Sequence, residues 1–120
     1  MSAAFDFAGQ VHWGTNGSIE AYLDALATIA AERFGVEDPL AVALRREREQ
    51  FYSGAVVFLD TILNGAEERA RFVAILDAAT SQLLLDGGFT DIGVKWVETE
   101  VRGLRERIAR HVPPEDRLWP

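Results

Sequence analysis

Residues 51–59, Phe51-Tyr52-Ser53-Gly54-Ala55-Val56-Val57-Phe58-Leu59, decide the fold of this 120-residue chain. Taken as helix, Phe51, Ala55 and Phe58 join Leu40, Leu44 and Ile62 on one apolar stripe at helical spacing. Asp38 then serves as N-cap and Pro39 stands at the first helical position, where a missing N–H does no harm. Asn64-Gly65 supplies the stop, and Gly54 bends or interrupts the run. Taken as strand, the same nine residues are rich in β-formers and would pair with residues 5–13. The stripe favours one long or kinked helix. The expected fold is therefore mainly α, an antiparallel bundle of three or four helices after an extended or single-strand N-terminal segment. The alternative is α+β, with a small antiparallel sheet from residues 5–13 and 51–59.

Upstream, Phe5, Phe7, Gly9, Val11 and Trp13 alternate with Asp6, Ala8, Gln10 and His12, the period of a half-buried strand with its aromatic face inward. Gly14-Thr15-Asn16-Gly17 reads as turn. A lone strand needs a partner ladder, either from this chain or from the same segment of a second copy. The first helix is expected from Ser18 as N-cap, with Ile19, Tyr22, Leu23, Leu26, Ile29, Ala30 and Phe34 on one arc and Gly35 ending it. Glu20, Asp24, Thr28 and Glu32 follow one another at four-residue intervals on the opposite face. That ridge offers itself to a cationic partner, and it also fits an ordinary solvated face.

Downstream, Glu67 and Glu68 open a third helix with Phe72, Ile75, Leu76, Ala79 and Leu83 inward, closed by Asp86-Gly87-Gly88. A fourth runs from a Thr90 cap to about His111, where Pro113-Pro114 forbids continuation. Its Val94, Val97, Val101, Leu104 and Ile108 pack inward, while Phe89, Ile92 and Trp96, with Gly103 beyond, fall on the other side. This second apolar patch requires cover from the N-terminal segment, from the tail Leu118-Trp119-Pro120, or from another molecule. The organisation is one domain over 1–120: an extended segment 1–17, a helical bundle 18–112 and a tail 113–120.

Composition bounds the partners. The chain is 48% hydrophobic and 26% charged, with a net charge of −7 that disfavours nucleic acid and favours a basic protein. It has no cysteine, which excludes disulfide and zinc–thiolate chemistry. No stretch approaches a membrane span, and Met1-Ser2-Ala3-Ala4 lacks the basic start of a signal peptide, so a cytoplasmic location without membrane partner is expected.

No motif names a reaction. His12 and His111 lie far apart without a second ligand at helical spacing, so neither a metal nor another cofactor is expected. The oddest residue is Glu47, a carboxylate in the middle of the helix-two stripe between Leu44 and Phe51. Burial there would demand a partner such as Arg105, Tyr22 or Tyr52, or would raise its pKa. The weak catalytic candidate is thus Glu47, with Tyr22, Tyr52 or His12 beside it in a small enzyme or ligand-binding bundle. The favoured function is a small acidic, non-catalytic interaction domain, with a homodimer and an inhibitor or immunity-type protein against a basic toxin or nuclease as specific versions. Its binding candidates are Trp13, Phe89, Ile92 and Trp96 for the aromatic surface and Glu20, Asp24 and Glu32 for the acidic one.

Overall fold

The computed structural model describes residues 2–112; the expectations for the tail at 113–120 lie outside the described residues. In chain order the elements are β1 (Ser2–Phe7), β2 (Gln10–Thr15), α1 (Asn16–Phe34), α2 (Pro39–Glu49), β3 (Val56–Phe58), a 3₁₀ turn (Leu59–Thr61), α3 (Ala66–Leu85), α4 (Asp91–Trp96), a π-turn (Val97–Val101) and α5 (Arg102–Ala109). The chain is mainly helical, but a three-stranded sheet in the order β2-β1-β3 makes it α+β, not a pure bundle. No helix among the described residues is long and apolar enough to cross a membrane.

The N-terminal segment is a hairpin, not a single strand. Ala8 and Gly9 both take positive φ, 51° and 80°, as a two-residue type I′ turn requires. In the resulting register Phe5 faces His12, Ala4 faces Trp13 and Phe7 faces Gln10. Residues directly opposite share a face of the sheet, so odd positions of β1 lie on the side of even positions of β2. Ala3, Phe5 and Phe7 enter the core with His12, while Val11 and Trp13 turn outward. The unbroken odd-numbered alternation across 5–13 spans a reversal that inverts its meaning. Asp60 fixes the turn, accepting the Ala8 N–H at 3.1 and 3.0 Å.

Residues 51–59 leave the helical path that the stripe favoured. α2 stops at Glu49, and a turn closed by the Ala55 N–H to the Tyr52 carbonyl (3.0 Å) places Gly54 at φ 87°. Glycine at the third position with positive φ is the type II signature. Asn16 holds this turn from the start of α1: its Oδ1 accepts the Gly54 N–H at 3.0 Å and its Nδ2 donates to Ser53 Oγ at 2.7 Å. β3 then joins β1 in parallel, with Val57 beside Phe5, so the alternative antiparallel pairing of 5–13 with 51–59 is corrected to parallel. The physical reason is long-range. The inner edge of β1 offers unpaired backbone groups, and β-branched Val56 and Val57 satisfy them at little conformational cost.

Helix ends follow local rules more closely. Thr90 caps α4 as expected, its Oγ1 accepting the Gly93 N–H at 3.2 Å. The cap of α1 lies three residues before the expected Ser18, because Thr15 Oγ1 accepts the Ser18 N–H at 3.0 Å and so acts as the cap itself. Asp38 caps α2 and is clasped by Arg71 of α3 at 2.8 Å, and that guanidinium also lies 3.8 Å from the Phe34 ring centroid. One cluster thus ties the α1–α2 corner to α3. α1 is the central helix, packed against α2, α3 and the hairpin, with Ile19, Tyr22, Leu23 and Leu26 fully buried.

Candidate functional site

The seam between the hairpin and the C-terminal helices builds the site. In the hairpin the closing pair Phe7–Gln10 is hydrogen-bonded, so alternate pairs along it are not, and Trp13 belongs to that second set. Its carbonyl therefore points away from β1, along the open edge of the sheet. Trp96 takes it: the indole Nε1 donates to the Trp13 carbonyl at 2.6 Å. The approach needs Gly14, since a Cβ there would lie 2.5 Å from Trp96 Cζ2. Gly14 is thus a strand residue chosen for close contact, not the turn glycine its neighbours suggested.

Beneath Trp96 lies an aromatic cluster. Its ring meets Tyr22 edge-on at 5.7 Å between centroids and Phe89 at 6.4 Å. The Tyr22 hydroxyl bonds Thr80 Oγ1 at 2.9 Å, and burial pushes its pKa up. Above this floor opens a cleft of about 730 Å³, walled by Trp13, Gly14, Ala21, Phe89, Ile92 and Trp96, with the hydroxyls of Ser2, Thr15, Ser18 and Thr90 at its margin. Trp13 is 52% exposed and Ile92 82%. All four aromatic and aliphatic binding candidates, drawn from β2 and the α4 region, border this one cleft. Among the described residues its walls carry no carboxylate, imidazole, amine or guanidinium. The arrangement suits apolar burial.

The remaining candidates are dispersed. Glu20 and Asp24 both face Arg48 of α2, at 3.4 and 3.5 Å, so two of the three ridge acids share one arginine inside the α1–α2 pair. Glu32 is exposed. Glu47 lies in the last turn of α2, half-buried, with no hydrogen bond or ion pair among the described residues. The polar pocket imagined around it is not assembled. Arg105 pairs with Asp77 (3.1 Å), Tyr22 with Thr80, and Tyr52 is exposed. Shortening α2 moves Glu47 from the middle of a buried stripe to the end of an exposed charged run.

His12, only 4% exposed, closes the seam at its other end. Its Nδ1 meets Glu100 Oε2 at 3.1 Å, and its Nε2 meets Arg107 Nη1 at 3.4 Å. A guanidinium can only donate, so Nε2 accepts and Nδ1 carries the proton toward Glu100. Arg107 also donates to the Phe7 carbonyl at 2.8 Å. Both ring nitrogens are occupied, and the group serves as a staple. The π-turn lets Trp96 and Glu100, four residues apart, both face the hairpin while Val97 and Val101 face the core. The apolar patch of the fourth helical stretch is thus covered largely by the chain's own N-terminus, leaving Ile92 out.

No group of three or more His, Cys, Asp or Glu among the described residues could hold a metal ion. No family model, curated protein or solved structure matches this chain. Sequence spacing missed Gly14, Thr15, Ser18 and Ala21 as cleft residues. The available signal was Gly14 itself, a glycine flanked by strand residues, which marks a close approach by something bulky.

Proposed function

We propose that the protein is a small acidic interaction domain whose aromatic cleft receives an apolar segment of another protein, one flanked by basic side chains. The observation that carries this reading is the convergence of Trp13, Phe89, Ile92 and Trp96 on one open cleft with uncharged walls. Half-exposed tryptophan beside exposed isoleucine resembles the aromatic anchors of protein interfaces. The basic character of the partner follows from the net charge of −7 and from exposed Asp91, the sequence neighbour of the cleft residues Thr90 and Ile92. Blocking of a basic toxin or nuclease is one version of such a role, and self-association through the same cleft is another.

Affinity capture from source lysate with three baits tests the reading. Wild type and Glu32→Gln, a change remote from the cleft, are expected to retain the same basic protein, and Ile92→Asp is expected to lose it. Equal capture by Ile92→Asp would overturn the cleft as the docking site. Sedimentation at micromolar concentration separates the homodimer version, which requires a dimer that Ile92→Asp dissolves.

A further inference from the structure

A second cleft lies between α3 and the end of α5. Its volume is about 320 Å³ and its walls are Ala66, Ala70, Val73, Ile108 and Ala109, with Arg69 and His111 as the polar members. Arg69 belongs to the core stripe of α3, three residues before Phe72, and is only 8% exposed. Its guanidinium has no hydrogen bond or ion pair with any described residue. Every other half-buried arginine of the helical core region has one: Arg48 faces Glu20 and Asp24, Arg71 faces Asp38, Arg105 faces Asp77 and Arg107 binds backbone carbonyls. Arg48 Nε is the only sealed side-chain nitrogen without a hydrogen bond among the described residues, and it is ion-paired with Asp24. Arg69's nitrogens, unbonded as well, therefore keep contact with solvent through the cleft.

We infer that Arg69 anchors a small organic carboxylate whose short apolar body lies between α3 and α5. A buried cation without a partner is costly, and an anionic ligand removes that cost. The planar fork matches a carboxylate through two parallel hydrogen bonds. Alanine, valine and isoleucine walls contact carbon, not further oxygen. A dianion would exceed the single buried positive charge, and Glu67 and Glu68 in the first turn of α3 would repel the excess. The helix N-terminus is not the anchor, because the Glu68 carboxylate already folds over Gly65.

The test is a titration of the full chain with sodium hexanoate, followed by NMR of the backbone amides of Ala70, Val73 and Ala109. Hexanoate is expected to shift these amides saturably, with hexanamide and inorganic phosphate binding at least about tenfold more weakly. Arg69→Met is expected to abolish the response and, without ligand, to melt no lower than wild type, since it removes an unpaired buried charge. Should Arg69→Met fail to fold, Arg69→Lys keeps the charge, loses the fork and is expected to weaken hexanoate about tenfold. Four results would overturn the site: no saturable shift, equal binding of hexanamide or phosphate, unchanged binding in the Arg69 variants, or movement of the same amides on Glu115→Gln with Asp116→Asn in the absence of hexanoate. The last would mean that the chain's own acids serve Arg69.

Discussion

Two residues show how a single side chain carries strain or burial for the rest. Ala8 adopts φ 51°, a left-handed conformation in which its Cβ crowds the following carbonyl. Glycine relieves that crowding, and only part of the gain is returned through the freer unfolded chain. Ala8→Gly is therefore expected to stabilise the protein by about 0.5–1 kcal/mol, read from the denaturant midpoint. Tyr22 is buried, and its pKa is pushed up by desolvation, partly offset by the Thr80 hydrogen bond. A folded pKa above the unfolded value of about 10 gives stability that is complete below that pH and lost as pH rises through the folded value. Wild type should thus lose stability between pH 9 and pH 12 more steeply than Tyr22→Phe (roughly the span either side of a free tyrosine's titration). The same variant should cost about 1 kcal/mol near neutrality by leaving Thr80 unpaired.

Between elements, junction residues set the connections. Asp38 accepts the Leu40 and Ala41 N–H groups and holds Arg71, and the Arg71 hydrogen bond is the main reason its pKa lies below the ordinary carboxylate range. Stability from this group is present above the unfolded pKa of about 3.9 and is lost as pH falls through the lower folded value. Asp38→Asn should flatten the acid limb of a stability–pH curve while retaining much of the cap, which asparagine also provides. The turn that delivers β3 depends on Gly54 at φ 87°. Gly54→Ala is expected to cost about 1–2 kcal/mol, measured by thermal unfolding, and to weaken the β1–β3 pairing before the helices. An equal loss of protection in α3 by hydrogen exchange would contradict that order.

For the molecule as a whole, Trp96 joins sheet to helices and also blocks the open edge of β2 by occupying the Trp13 carbonyl. Trp96→Ala should cost about 3 kcal/mol and promote self-association, visible as a concentration-dependent mass in sedimentation. An unchanged monomer–oligomer balance would show that the edge is closed by other means. The helices α1, α3 and the α4–α5 stretch were legible in the chain, because each places apolar residues every three or four positions and carries a local end signal: Gly35 after α1, Gly87 after α3 and the Thr90 cap at the start of α4. The members of the aromatic cleft were legible as leftovers from those stripes, Phe89, Ile92 and Trp96 among them. Their assembly with Trp13 and Gly14 was not. Sequence by itself determined where helices could form, since capping and periodicity act within a few residues. Only the tertiary structure decided that residues 5–13 reverse at Ala8-Gly9, that residues 56–58 become a parallel strand, and that Glu47 leaves the core. The parallel strand and the displacement of Glu47 turn on hydrogen bonds between segments tens of residues apart, Ala4 with Ala55 and Asn16 with Gly54 among them, and Asp60 holds the reversal at the Ala8 N–H; local spacing cannot specify such partners.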